Sequence, residues 1–315
     1  MLRHFRGGWM SRIYFAPRMS GVREATPLLF CQECYGYVHS NDGVTCSVCG
    51  TKKRNAALTI KRIVAPLCLI ASLCVQASDC PDMYLAHHEP QLIAPLAGRV
   101  YELCNAEYAV LISEVNKTAL YAAEKLTPAR MKGAKKIKRG ANEFFEDYRL
   151  PEEVRVSTYS YTHTGYDRGH LAPAGDFSTM GAQRESFSLA NVVPQSSTVN
   201  RGIWADIEGT VRHLAKKGTT HVVTGPLYLG PTTYLPKGGI PVPSHLFKAV
   251  YAPASNVVGV YVVGNASDER IAKLSLDEFS NMTGINVFPG LPPEVKMFKG
   301  AVPSPMSRER GSWSK

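Results

Sequence analysis

Apolar residues in the second half of the chain follow two different periods. Residues 221–225, 247–251 and 257–263 are short runs rich in β-branched and aromatic residues, and each run predicts a β-strand. Residues 200–217 contain no proline and predict an amphipathic helix, because apolar residues recur there at spacings of three and four. The residues of this apolar face are Ile203, Trp204, Ile207, Val211 and Leu214.

Other segments complete the pattern of elements. Residues 100–115 predict a strand, and so do the runs 156–161 and 191–193. Ser275 and Glu278 fit a capping box that opens a second helix. Because strands and helices do not alternate strictly, the expected fold class is α+β with a mainly antiparallel sheet.

One apolar run, residues 63–75, stands apart from the body and follows several Lys and Arg residues. A basic stretch, a short apolar run and a small residue at Ala77 are typical of a secretory signal cleaved after that alanine. The alternatives are a short uncleaved anchor, with membrane contact through 63–75, and a buried core helix. The run is shorter than the roughly 18 residues of a spanning helix, and it begins unusually far from Met1. We therefore expect an exported protein, periplasmic or secreted, or an anchored one with its main domain outside the cytoplasm.

The position of this apolar run and the distribution of charge along the 315 residues predict the domain organisation. Residues 1–55 form a basic N-terminal region, 56–77 the signal or anchor, 78–302 the main domain, and 303–315 a polar, disordered tail. The net charge of +10 is concentrated at the start, since residues 1–62 hold ten of the 36 Lys and Arg and only three of the 26 Asp and Glu. The remaining 26 basic and 23 acidic residues nearly balance, so a nucleic-acid partner must be argued from local chemistry and not from the overall charge.

The eight cysteines fall into two groups. Two CxxC pairs separated by eleven residues predict a zinc-ribbon-like knuckle over residues 31–50, with a structural Zn²⁺ held by Cys31, Cys34, Cys46 and Cys49. Two disulfides, or a segment that does not fold, are the alternatives. If residues beyond 77 are exported, Cys80 and Cys104 are the only cysteines left, and a disulfide between them is the simplest outcome. Two free thiols would suit a cytosolic body.

Candidate chemistry lies between residues 166 and 208. His170 follows Asp167, Arg168 and Gly169 in a turn-rich stretch, and a histidine titrating near neutral pH can act as a general base. A lone histidine is more often structural. Downstream, Asn200 and Glu208 are eight residues apart on the predicted helix, which is 2.2 turns, so they are expected near one face. An amide oxygen with a more distant carboxylate is a reasonable sparse site for Mg²⁺, which keeps several of its waters.

These motifs together resemble the DNA/RNA non-specific endonuclease family, which has a ββα-metal (His-Me finger) core and includes secreted bacterial nucleases and endonuclease G. The resemblance covers roughly residues 80–300 and rests on four segments: the residues 167–170, 189–195, Asn200 with Trp204 and Glu208, and 224–226. It implies a Mg²⁺-dependent, sugar-non-specific endonuclease that hydrolyses phosphodiester bonds and leaves 5′-phosphates, with Mn²⁺ as an alternative to Mg²⁺. It also implies DNA and RNA as partners and a homodimer as the expected assembly.

The resemblance assigns a role to each matching residue. His170 matches the general base that activates water, Asn200 the single direct protein ligand of Mg²⁺, and Glu208 the residue that orients water on the metal. Asn191 matches a polar residue near the base and the phosphate. An arginine that stabilises the transition state is expected at Arg139, ahead of Phe144 and Asp147, with Arg168 as second candidate.

A cluster of basic residues precedes this region: Arg130, Lys132, Lys135, Lys136, Lys138 and Arg139. Beside a nuclease site, such residues, in particular Lys135, Lys136 and Lys138, are expected to contact phosphates without reading bases. A solvated charged face is the alternative. The competing hypothesis for the whole chain is a membrane-tethered nucleic-acid-binding protein with an inactive nuclease fold.

Overall fold

In the computed structural model, the described residues are 78–93, 98–138, 143–266, 271–298 and 302–307, together with two short strands, β1 (Leu29–Phe30) and β2 (Tyr37–Val38). β1 and β2 pair in antiparallel fashion. The four cysteines of the predicted zinc knuckle, the run 63–75 and Arg139 lie outside the described residues. Among the described residues, no helix has both the length and the apolar character needed to cross a membrane.

The centre of the molecule is a seven-stranded sheet in which every neighbouring pair is antiparallel. From one edge to the other its strands are β14 (Ile271–Leu274), β13 (Val257–Gly264), β12 (His245–Ala252), β9 (Thr220–Leu227), β6 (Ala119–Leu126), β5 (Ala109–Ser113) and β4 (Val100–Cys104). The predicted α+β class with a mainly antiparallel sheet is confirmed. Residues 100–115 form two strands, β4 and β5, where the sequence predicted one.

Four shorter strands lie outside this sheet and form two antiparallel pairs with one another. They are β3 (Gln91–Leu92), paired with β15 (Ile285–Asn286), and β10 (Thr233–Tyr234), paired with β11 (Pro241–Val242). The helices are α1 (Pro128–Ala134), α2 (Met180–Glu185), α3 (Ser197–Arg201), α4 (Ile203–Ala215), α5 (Leu276–Thr283) and α6 (Pro293–Lys296). Two further strands, β7 (Tyr166–His170) and β8 (Val192–Ser196), pair with each other.

Helices cover both faces of the sheet, because alternate side chains of the central strands point to opposite sides. Leu246 and Val250 of β12 belong to the core that includes Trp204 of α4, whereas Phe247 packs on Phe279 of α5 with ring centroids 4.8 Å apart. The predicted capping box opens α5: the Ser275 side chain and that of Glu278 each bond the other residue's backbone N–H. The large apolar side chains of both helices are therefore buried against the sheet.

The start and the end of the described body are both fixed to it. Cys80 and Cys104 are joined in a disulfide with Cα atoms 5.5 Å apart, which is the predicted pairing. At the other end the Tyr261 hydroxyl donates to the Pro303 carbonyl over 2.6 Å, and the Met306 N–H donates to the Thr210 hydroxyl over 2.8 Å. Residues 303 and 306 of the predicted tail are therefore in contact with the body, and residues 308–315 lie outside the described residues.

Two sequence predictions near the site also need correction. Residues 158–161 form a turn of 3-10 helix, not the end of a strand, and the strand that leads to His170 begins at Tyr166. The predicted helix over 200–217 is broken at Gly202, whose backbone angles (φ −100°, ψ −114°) are not helical. Asn200 therefore belongs to α3 and Glu208 to α4, and the expected 2.2 turns between them on one helix do not apply.

Candidate active site

Strands β7 and β8 with helices α3 and α4 form a ββα unit that carries the predicted site residues. The register places His170 opposite Val192 and Gly169 opposite Val193. Gly169 is needed at its position, because a Cβ there would collide with the Gln195 side chain. That side chain also donates through Nε2 to the His170 carbonyl over 3.4 Å. The strand pair therefore fixes the backbone on which His170 stands.

The imidazole of His170 is held by aromatic rings. Its centroid lies 5.2 Å from that of Phe144 and 5.1 Å from that of Phe187, and the side chain is 9% exposed. The guanidinium of Arg168 lies over the ring of Phe144, 4.7 Å from its centroid. An arginine and a histidine two residues apart are thus brought to the same aromatic side chain.

Asn200 is oriented by Asp167, a residue of the motif to which the sequence assigned no role. Nδ2 of Asn200 donates to the Asp167 carboxylate over 2.9 Å, so the amide presents Oδ1 as its acceptor atom. The same carboxylate accepts two hydrogen bonds from Arg201, at 2.7 and 2.8 Å. Burial raises the pKa of the Asp167 carboxyl, but the hydrogen bonds from Arg201 and Asn200 outweigh burial and hold this pKa below its usual range. Asp167 is therefore a carboxylate at neutral pH.

Glu208 is positioned from its own helix by Arg212, four residues later, with 4.0 Å between the guanidinium and the carboxylate. Arg212 in turn donates to Asp176 over 2.9 Å. Burial lowers the pKa of the Arg212 guanidinium, but the carboxylates of Asp176 and Glu208 raise it more, so the net pKa is above the usual value. The i, i+4 spacing of Glu208 and Arg212 is a signal that the sequence contained and that could have identified this pair.

These residues line one cleft of about 1470 Å³. This volume exceeds the 300–1,000 Å³ that is typical of small-molecule pockets, which favours a polymeric ligand. The predicted site residues that line the cleft are His170, Arg168, Asn200, Glu208, Lys135 and Lys138. Lys136 is exposed but does not line it.

Asn191, predicted in the active site, and Arg130, predicted in the basic cluster, are both buried and do not line the cleft. Asn191 is fully buried and uses its amide on the backbone: Oδ1 accepts from the Ala172 N–H over 2.9 Å, and Nδ2 donates to the Ala172 and Ser186 carbonyls. It supports the segment after His170 and does not face the cleft. Arg130 is only 8% exposed and pairs with Glu124 at 3.0 Å, so it does not belong to the phosphate-facing lysines. Both departures arise because burial depends on tertiary packing, which a motif does not contain.

Comparison with known proteins identifies the family. The model of the DNA/RNA non-specific endonuclease family matches residues 91–294. The chain belongs to this family. It is therefore an endonuclease, and its substrates are nucleic acids. The matched range lies inside the predicted main domain.

Individual relatives support the same assignment. Nuclease C1 of Cunninghamella echinulata var. echinulata is 32% identical over 202 residues, which cover 58% of this chain and 80% of that protein. The mitochondrial endonuclease G of Caenorhabditis elegans is 30% identical over 217 residues, 62% of this chain and 69% of that protein. The crystal structure of the EndoG/EndoGI complex contains a chain with the same fold, at a TM-score of 0.57 and 24% identity. The match covers 62% of the present chain and 88% of the chain in that complex.

The prediction of an exported protein is wrong. Four similar relatives, at 30–33% identity, are named as mitochondrial nucleases. The prediction failed because it rested on the short apolar run 63–75 after basic residues, and such a pattern does not by itself specify a destination.

Proposed function

We propose that the endonuclease hydrolyses phosphodiester bonds of both DNA and RNA in this cleft, with Mg²⁺, and leaves 5′-phosphate ends. The observation that carries the proposal is the meeting of His170, Asn200 and Glu208 in one cleft with Lys135 and Lys138. Lysines contact phosphates irrespective of the sugar or base, which suits a substrate range that includes both nucleic acids.

His170 is the general base in this proposal. Its ring is fixed between Phe144 and Phe187, so it can accept a proton from an attacking water without first being immobilised. Arg168, whose guanidinium lies over Phe144, is placed to neutralise a non-bridging phosphate oxygen as negative charge develops. Arg168 takes this part on the basis of its position, since Arg139 lies outside the described residues.

The residues fit a hard divalent cation. The hydrogen bond from Asn200 to Asp167 fixes the amide so that Oδ1 is the atom offered to a ligand, and Glu208 adds a partly buried carboxylate to the same cleft. Oxygen donors in small number are what Mg²⁺ accepts, because it retains most of its waters. When bound, the ion would supply a Lewis acid that stabilises the charge on the phosphate and on the leaving oxygen.

The test is cleavage of plasmid DNA and of RNA by the full chain, with Mg²⁺ or with EDTA, beside the variants His170→Ala and Asn200→Ala. We expect Mg²⁺-dependent cleavage of both substrates and a loss of roughly 10²–10⁴-fold in the His170→Ala variant, the range of a general base. His213→Ala, on α4 but not lining the cleft, is the matched control and should cleave normally. Labelling of the products by polynucleotide kinase only after phosphatase treatment would identify 5′-phosphates.

The competing hypothesis, an inactive fold that only binds nucleic acid, makes the opposite prediction. A folded wild-type chain that binds both substrates but cuts neither, with Mg²⁺ or Mn²⁺ present, would contradict the proposed function. Equal activity of the His170→Ala variant would leave the endonuclease activity in place but remove the assignment of the base.

We also propose that Cys31, Cys34, Cys46 and Cys49 hold a structural Zn²⁺. The support is their spacing, together with the strands β1 and β2, which flank the first CxxC pair in the sequence. The zinc content of the purified full chain, compared with that of a Cys31→Ser variant, measures this directly.

A further inference from the structure

Besides its lysines, the cleft is lined by a segment rich in aromatic side chains. Tyr161, Thr162, His163 and Tyr166 come from the turn and the strand that precede His170, and all four line the cleft. Just before them in the same turn stands Tyr159, which is 63% exposed. Tyr159 is therefore a large exposed ring close in the chain to residues that line the cleft.

Tyr159 carries a cation on its ring. The ammonium of Lys237 lies 4.0 Å from the ring centroid, and the same ammonium donates to the Thr162 carbonyl over 3.5 Å. Since Thr162 lines the cleft, the Tyr159–Lys237 pair adjoins the cleft through this hydrogen bond, although neither residue of the pair lines it. The pair therefore offers a positive charge and a π-surface within a few ångströms of each other.

The β10–β11 connection, which carries Lys237, packs closely against the turn that carries Tyr159. Lys237 lies in the connection between β10 and β11, next to Gly238, which has a φ of +80°. A Cβ at Gly238 would lie 2.6 Å from the Ser160 hydroxyl, so the backbone of this connection packs directly on the turn that carries Tyr159. The hydrogen bond to the Thr162 carbonyl and the contact with the Tyr159 ring orient the ammonium before any ligand arrives, which reduces the entropy lost on binding.

We propose that the Tyr159–Lys237 pair is a stacking site for an unpaired base of the nucleic-acid strand that leaves the cleft. The tyrosine stacks on the base and the lysine contacts the adjacent phosphate. This inference rests on the proposed function, since it extends the same cleft. Stacking on an exposed aromatic ring is tolerant of base identity.

The consequence is a preference for single strands. In a duplex both faces of each internal base are covered by its neighbours, so a protruding side chain can reach a base face only where the strand is unpaired or the duplex has opened. Phosphate contacts, by contrast, are available in single and double strands alike. The pair should therefore contribute to the affinity for single-stranded substrate and little to that for intact duplex.

The experiment measures binding of a labelled single-stranded oligonucleotide and of the duplex of the same sequence to the full chain carrying His170→Ala, so that cleavage does not interfere. Adding Tyr159→Ala should weaken single-strand binding about tenfold, within the range seen for loss of one stacked base. Duplex binding should change less than about twofold. Tyr159→Phe, which retains the ring, should restore single-strand binding.

Lys237→Met provides a second readout. Loss of one phosphate contact should lower the slope of log affinity against log salt concentration by roughly 0.7 for the single strand. Tyr148→Ala is the matched control: Tyr148 is 75% exposed and has the Arg155 guanidinium 4.4 Å from its centroid. Arg155, unlike Lys237, donates to a carbonyl outside the cleft lining, that of Leu150. This variant should bind both probes as the parent does.

The results separate the two proposals. If the wild-type chain cuts neither nucleic acid, the proposed function fails, and the binding assay still decides on the stacking site because it does not depend on cleavage. If the wild type cuts, but Tyr159→Ala binds single strands as tightly as Tyr148→Ala does, only the stacking site is overturned. Equal weakening of single-strand and duplex binding by Tyr159→Ala would also overturn it.

Discussion

At the scale of single residues, Asp167 shows how a motif acts through a neighbour. Its carboxylate accepts hydrogen bonds from Asn200 and Arg201 at once, so it fixes the amide whose oxygen is proposed to bind the metal ion. Sequence spacing identified Asn200, but only the structure shows what orients it. The residue is thus a positioning residue for the proposed metal ligand.

Replacing Asp167 with asparagine tests this role. The amide that replaces the carboxylate has one acceptor oxygen, so it cannot satisfy both Asn200 and the two donors of Arg201. We expect a 10- to 100-fold loss of activity and a higher Mg²⁺ concentration for half-maximal cleavage, as is typical of residues behind a metal ligand. Metal titrations of cleavage measure both effects.

Arg201→Ala is the control for that variant, because it removes the arginine and leaves the Asp167–Asn200 bond. It should change the Mg²⁺ requirement less than Asp167→Asn does. An Asp167→Asn variant with the Mg²⁺ requirement of the wild type would contradict the positioning role.

At the scale of elements, β7 and β8 are not part of the seven-stranded sheet and must be attached to it. Asn265, which follows β13, makes this attachment. Its Oδ1 accepts from the Ser196 N–H over 2.8 Å, and its Nδ2 donates to the Pro194 and Pro243 carbonyls over 3.0 and 2.9 Å. One buried amide thus links the end of β8 to the sheet that supports it.

Asn265→Ala should lower the free energy of unfolding by about 2–4 kcal/mol, because it leaves buried backbone groups without partners. Urea unfolding of the full chain measures the change. Asn281→Ala is the matched control, since that side chain makes one exposed hydrogen bond to Asp277, and it should cost less than about 0.5 kcal/mol. Equal costs for the two variants would contradict the attachment role of Asn265.

At the scale of the whole molecule, the disulfide ties the beginning of the described body to the edge strand β4. Cys80 and Cys104 enclose a separation of 24 residues. Glu102, also on β4, accepts hydrogen bonds from the Ser78 hydroxyl, the Asp79 N–H and the Tyr84 hydroxyl. The disulfide and these hydrogen bonds therefore join the same two segments, residues 78–84 and strand β4.

Removing the disulfide by the double variant Cys80→Ser/Cys104→Ser should cost about 2–4 kcal/mol of unfolding free energy, since the unfolded chain regains the entropy of the open loop. The urea midpoint of the wild type should fall on adding reductant, whereas that of the double variant should not move further. A wild-type midpoint that reductant leaves unchanged would contradict a stabilising disulfide.

The sequence by itself predicted the sheet strands β9, β12 and β13, the apolar face of α4 and the capping box of α5, and its motifs marked His170, Asn200 and Glu208 as candidate site residues. Each of these depends on local periodicity or on a short motif, so neighbouring residues carry the signal. Tertiary structure decided the break at Gly202, the burial of Asn191 and Arg130, the roles of Asp167 and Arg212, and the Tyr159–Lys237 pair. Those features arise from contacts between segments distant in the chain, such as β7 with α3 or the 158–161 turn with the β10–β11 connection, and local patterns do not encode such contacts.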